Sequence, residues 1–199
     1  MNHPDFTQLR CAIDGAITYQ DLVSAKTFAE AGLRLAEDKE CLGEMMYFKA
    51  QRYIIDGRCD EAIPFLEKAL LYNPQDGAAY NDLALCRINN GVINGAEALF
   101  DKGIAVEPDY ATIYHNKGWF LNNLGRSAEA LELFRQTLAL EPDRAVTYEN
   151  MADAYEHLGC GREALAAYKK AFDLLPPVLI DIREQIGEEI TRLEGKNIK

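Results

Sequence analysis

Residues 148–176 read YENMADAYEHLGCGREALAAYKKAFDLLP. In the first half, Tyr148, Met151, Ala152 and Tyr155 recur at helical spacing. Gly159 then supplies the positive φ that commonly ends a helix. A second helix runs from Arg162 through Ala164, Leu165, Tyr168, Ala171, Phe172 and Leu175. Pro176 stops it, because proline disfavours helix at the residue before it. The stretch therefore reads as a helical hairpin. Its alanine-sized residues let two helices approach closely, and the large aromatic fills the gap beside them. The apolar side is too large for one hairpin to bury, so neighbouring units must cover it.

The same hairpin recurs. Pro74, Pro108, Pro142 and Pro176 are spaced 34 residues apart, each closing an apolar helical stretch. A small residue keeps that period at Ala62, Ala96, Ala130 and Ala164, and a large one at Leu66, Phe100, Phe134 and Tyr168. A compact residue follows at Ala69, Gly103, Thr137 and Ala171, and a glycine falls at Gly57, Gly91, Gly125 and Gly159. A bulky residue begins each unit, at Met46, Tyr80, Tyr114 and Tyr148. Ala29, Leu33 and Ala36 mark a worn earlier unit, one residue short of the period, with Asp38-Lys39-Glu40 where the closing proline would stand. Beyond Pro177, Leu179, Ile182, Ile186, Ile190 and Leu193 alternate with charges, as a C-terminal capping helix would, and Gly195 to Lys199 reads as a frayed tail. Asp76, Asp109 and Asp143, just past three of the prolines, are expected to cap the helices that follow. Pro64 is expected near the first turn of its helix, where a missing N–H costs least.

This pattern resembles the tetratricopeptide repeat family, whose signature is a bulky residue, Leu-Gly, Tyr, Ala, an aromatic, Ala and Pro at fixed offsets. Tyr148, Met151-Ala152, Tyr155, Ala164, Tyr168, Ala171 and Pro176 follow it, as do Tyr114, Lys117-Gly118, Leu121, Ala130, Phe134, Thr137 and Pro142. Arg87 in the tyrosine column, and Lys49 and Lys117 in the leucine column, depart from it and bear on local packing. The resemblance implies an all-α fold: a right-handed α-solenoid of stacked antiparallel helix pairs with a C-terminal capping helix. It implies one domain over residues 1–199, made of a degenerate hairpin at 5–40, repeats at 44–76, 77–110, 111–144 and 145–177, and a cap at 178–195.

Composition narrows the function. The formal charge of -11 repels phosphate backbones and anionic lipid heads, and favours ligands with some positive charge. No apolar window spans a bilayer, and the N-terminus lacks a basic region followed by an apolar run, so neither membrane insertion nor a signal peptide is expected. Cys11, Cys41, Cys59, Cys86 and Cys160 are odd in number and form no C-x-x-C pair, which suits reduced thiols in the cytoplasm. His3, His115 and His157 have no ligand spacing, and no phosphate-binding loop or nucleophile elbow is present. We expect no catalytic residues, no cofactor and no metal.

In the family this sequence resembles, the first helix of each hairpin lines the concave face. The residues one, two, five, eight and nine after the bulky starter point into the groove. Carried over, the resemblance assigns Tyr47, Phe48, Gln51, Ile54 and Ile55 from one unit, and Asn81, Asp82, Leu85, Ile88 and Asn89 from the next. His115, Asn116, Trp119, Asn122 and Asn123 follow, then Glu149, Asn150, Asp153, Glu156 and His157. Asp82, Asn116 and Asn150 share one column. Such side chains can bond the backbone of an extended peptide, or can support packing between helices. Trp119, the sole tryptophan, suits a binding hot spot or a place between hairpins. Glu149, Asp153 and Glu156 form one stripe, either a binding surface or a solvated face.

The expected ligand is a protein or peptide segment with hydrophobic anchors and basic residues. Relatives that clamp the acidic tail of chaperones use Lys, Asn and Arg, whereas Tyr47, Gln51, His115, Glu149 and Asp153 stand in the first helices here, so no such tail should bind tightly. A self-assembling scaffold joined through its terminal repeats, and an enzyme accessory subunit, are the alternatives.

Overall fold

The computed structural model describes residues 5–195, and eleven helices make up all the regular structure among them. They are α1 (Phe6–Thr18), α2 (Leu22–Asp38), α3 (Leu42–Ile55), α4 (Cys59–Tyr72), α5 (Gly77–Asn89) and α6 (Ala96–Val106). Then come α7 (Ala111–Asn123), α8 (Ser127–Leu140), α9 (Ala145–His157), α10 (Gly161–Leu174) and α11 (Ile180–Gly195). His3 and the tail beyond Gly195 lie outside the described residues. The helices fall into two compact units that meet in sequence at Pro108 and Asp109.

The first unit holds three hairpins, α1–α2, α3–α4 and α5–α6, and the second holds α7–α8, α9–α10 and α11. The period-keeping residues form their cores. Ala62, Leu66 and Ala69 are fully buried, as are Ala130, Phe134 and Thr137 and, nearly so, Ala164, Tyr168 and Ala171. Burying a side chain such as Phe134 stabilises the fold by about 2–3 kcal/mol. The close packing has a visible cause at Gly118, where an added Cβ would lie 2.6 Å from the Phe134 ring. Gly57, Gly91, Gly125 and Gly159 adopt φ of 73°, 78°, 77° and 74°, so each first helix turns into its partner through a left-handed residue. The worn hairpin makes the same kind of turn with Gln20, at φ 60°, which an L side chain adopts only at some cost.

Two local expectations are corrected. Asp76 does cap α5, accepting from the Ala79 N–H at 2.9 Å. Asp109 and Asp143 do not cap: the N-cap is the second residue after the proline, which is Tyr110 in α7 and Arg144 in α9. Pro64 sits in the second turn of α4, not the first. It therefore withholds a donor from the Asp60 carbonyl, on a part of the helix that faces water. At the C-terminal end, Ile186 and Leu193 of α11 are buried. Arg183 fastens α11 to α10: its Nη1 donates to the Phe172 and Leu175 carbonyls at 2.8 and 2.6 Å, and its guanidinium lies 4.0 Å from the Phe172 ring centroid. These carbonyls are among the acceptors that a helix end leaves open.

Candidate functional site

In the first unit, the first-helix faces of α1, α3 and α5 are drawn together by one half-buried cation. The Arg10 guanidinium, from α1, donates to both carboxylate oxygens of Asp76 at 2.8 Å and to Glu44 at 3.0 Å. It also lies 3.6 Å from the Tyr47 ring centroid. Tyr47 and Phe48 are buried core side chains, packed edge to face with centroids 5.5 Å apart. Gln51 and Asn81 are buried as well, and both donate to Asp82, at 2.5 and 3.0 Å. Leu85, Ile54 and Ile88 are half-buried, Ile55 is buried and Asn89 is exposed. Burial and the Asp14 charge push the Asp82 carboxyl up to about 7, against the pull of its two amide donors. These polar groups of the first unit are largely spent on one another.

The second unit is arranged differently. His115 of α7 is buried and bonds to α9 on both nitrogens: Nδ1 to Thr147 Oγ1 at 2.9 Å and Nε2 to the Asn150 amide at 3.2 Å. Asn150 Nδ2 donates to Nε2, so Nδ1 carries the proton and donates to Thr147. Burial, aided by the nearby Arg144 charge, lowers the His115 pKa to about 3 and keeps the ring neutral. Asn122, also buried, accepts on Oδ1 from the Ser127 hydroxyl at 2.7 Å and from His157 Nδ1 at 3.1 Å. These contacts tie α7 to α8 and α9.

Above this buried layer lies a cavity of about 420 Å³. Trp119, Asn122 and Asn123 of α7 line one side, and Asn150, Asp153, Glu156 and His157 of α9 the other. Trp119 is 37% exposed, and Asn123 folds back to donate to the Trp119 carbonyl at 2.8 Å. The Tyr168 hydroxyl, from α10, donates to Asp153 Oδ1 at 2.5 Å and approaches Glu156 Oε1 at 3.3 Å. Arg192 of α11 donates to the same Glu156 oxygen at 2.5 Å. Burial and the neighbouring Asp153 push the Glu149 carboxyl up, and burial with the Glu156 and Glu189 charges does the same to Asp153, against its Tyr168 bond. Asn116 is half-buried on α7. Among the described residues, no group of three or more His, Cys, Asp or Glu is placed to hold a metal ion.

The residues assigned to the groove from sequence thus divide. Tyr47, Gln51, Asn81, His115 and Asn122 are buried and hold helices together. Trp119, Asn123, Asn150, Asp153 and Glu156 come together around one cavity. Arg10, Glu44 and Arg192 were missed by sequence reasoning, which read Asp76 only as a cap and Tyr168 only as a core residue. The signal that could have found some of them is separation by about one repeat: Arg10 and Glu44 are 34 residues apart, Glu156 and Arg192 are 36.

Stacked helical hairpins with a small-large-small core and a glycine turn define a helical-repeat protein. Tetratricopeptide repeat models match residues 53–116 and 111–140. Residues 53–140 of the chain are thus tetratricopeptide repeats. Protein FlbA of Caulobacter vibrioides is 32% identical over 97 residues, which is 49% of this chain and 16% of FlbA, so the chain spans a small part of that relative's length. Among solved structures, a thermophilic TPR protein of Thermus thermophilus superposes with a TM-score of 0.73 at 21% identity, over 94% of this chain and 100% of that one. A MamA structure gives 0.60 at 22%, covering 85% and 91%. YrrB, described as a TPR protein with an unusual peptide-binding site, gives 0.59 at 20%, covering 91% and 92%. At these identities the likeness concerns the fold. Domains of this family bind proteins or peptides. Among the described residues no helix is long and apolar enough to cross a membrane.

Proposed function

We propose that the protein is a non-catalytic adaptor that captures a peptide or protein segment on the α7 and α9 faces of its second unit. The ligand is apolar in part and basic in part. The observation that carries this reading is the cavity between α7 and α9, where a half-exposed indole stands beside carboxylates held partly out of water. A tryptophan with a third of its surface open is a common anchor for a partner. The surrounding charge is negative and belongs to a chain of net charge -11, so basic segments are drawn to it and acidic ones repelled. The fold likeness to YrrB supports peptide binding as the mode.

The test is selection from a random peptide library, with the wild-type chain and with a variant carrying Glu149→Lys, Asp153→Lys and Glu156→Lys. The wild type should enrich peptides that pair Lys or Arg with apolar residues, and the variant should lose that preference. An unchanged profile, or no enrichment by the wild type, rejects the reading.

A further inference from the structure

The charged groups that line the cavity keep open acceptors. Asp153 Oδ1 and Glu156 Oε1 are taken by Tyr168 and Arg192, while Asp153 Oδ2 and Glu156 Oε2 have no donor among the described residues. The Asn150 and Asn123 amides each give one of their two N–H donors, to His115 and to the Trp119 carbonyl, and keep their oxygens open. A second feature points the same way. Asn122 is only 8% exposed, and its Oδ1 is doubly occupied, yet its Nδ2 has no partner among the described residues although the side chain lines the cavity. That Nδ2 is not sealed from solvent, so it faces the cavity with a donor that a ligand oxygen can take up.

We propose that this cavity is a subsite for one arginine side chain of an extended peptide, with a peptide carbonyl accepting from Asn122 Nδ2. A guanidinium offers five donors in a plane, which matches carboxylate and amide oxygens, and it stacks on an indole face as an ammonium does not. The volume of about 420 Å³ exceeds what one such side chain needs, leaving room for the flanking backbone. The subsite rests on the peptide-binding reading above and specifies which side chain that reading places where.

The test uses the full chain and the pentapeptide Ac-Ala-Ala-Arg-Ala-Ala-NH2. Trp119 is the sole tryptophan, so its emission reports on the cavity alone. The arginine peptide should change that emission saturably. The same peptide with citrulline, which keeps the shape and loses the charge, should bind at least about tenfold more weakly, as should the arginine peptide on Asp153→Asn. Asparagine can still accept from Tyr168, so that variant keeps the local bond, and its melting curve checks that it folds. The lysine peptide should fall between arginine and citrulline. Equal binding of arginine and citrulline, a lysine peptide as tight as arginine, an Asp153→Asn variant with full affinity, or no saturable change overturns the assignment. If the assignment fails while the library selection still returns peptides, the subsite alone is wrong. If the library returns nothing, the binding reading falls with it.

Discussion

The two units carry acidic residues on their first helices, and they treat them in opposite ways. In the first, Arg10 reaches from α1 to satisfy Asp76 and Glu44 and to cover the Tyr47 ring, and Gln51 and Asn81 close on Asp82. In the second, the carboxylates of Glu149, Asp153 and Glu156 meet one tyrosine and, at the edge, one arginine from the terminal helix. An internal cation turns acidic residues into structural cement. The same residue types with few internal partners remain open to an outside cation. Acidic composition alone therefore does not locate a binding site on such a scaffold; the supply of internal donors does.

The largest expected effect breaks the first half of this comparison. Arg10→Met should destabilise the first unit by about 3 kcal/mol at neutral pH, because it strands a buried carboxylate that has lost its cation. Urea unfolding followed by amide exchange in residues 5–108 measures it. A loss below about 1 kcal/mol would place Arg10 with ordinary surface pairs and remove the contrast between units.

Titration separates the units next. Asp82, with its carboxyl near 7 in the folded chain, binds more protons folded than unfolded between about pH 4 and 7. Its contribution therefore makes the first unit more stable as pH falls through 7, and Asp82→Asn should remove that gain, adding on the order of 1 kcal/mol at pH 8. The groups around it that share this field are Asp14, Asp76, Gln51 and Asn81. His115 has the reverse sign. Its folded pKa near 3 lies below the unfolded 6.5, so the stability it contributes is complete above pH 6.5 and is lost as pH falls toward 3. His115→Asn should flatten that loss, by on the order of 2 kcal/mol across the window, with Arg144, Thr147 and Asn150 facing the site unchanged. Glu149 and Asp153 add a slope of Asp82's sign to the second unit, so amide exchange at pH 7 and pH 5 is compared between wild type and each variant; contributions of Asp82 and His115 with the same sign would sink the assignment.

The fold was legible because the period survives in residues that pack within their own hairpin: Ala62, Leu66 and Ala69, or Ala130, Phe134 and Thr137, touch partners a fixed distance along the chain. The site was only half legible. An offset from the bulky starter says which way a side chain leaves its helix, and it put Trp119, Asn150 and Asp153 on one face. It does not say how much of that face the next hairpin covers, which is why Tyr47, Gln51 and Asn81 turned out buried. Long side chains from outside the period, Arg10 and Arg192, decide how the acidic residues are satisfied, and their reach leaves no mark on the spacing. Asp109 and Asp143 show the same limit at short range, since a shift of one residue after the proline costs them the cap that Asp76 makes.

The smallest effect on stability sharpens the comparison most. Arg192 holds Glu156 from α11 and also pairs with Glu189 on its own helix, and all three side chains are substantially exposed. Partly exposed pairs of this kind contribute little, so Arg192→Met should change unfolding free energy by less than about 1 kcal/mol. Its effect on binding should be larger and of opposite sense. Removing this internal cation frees Glu156 Oε1 and raises the negative potential of the cavity, so the arginine pentapeptide should bind a few times more tightly by Trp119 emission. Arg192 would then stand to the second unit as a loose, displaceable version of what Arg10 is to the first. Weaker binding in Arg192→Met, or a loss of stability comparable to that of Arg10→Met, would show instead that the terminal helix is part of the cement and that the two units do not differ in kind.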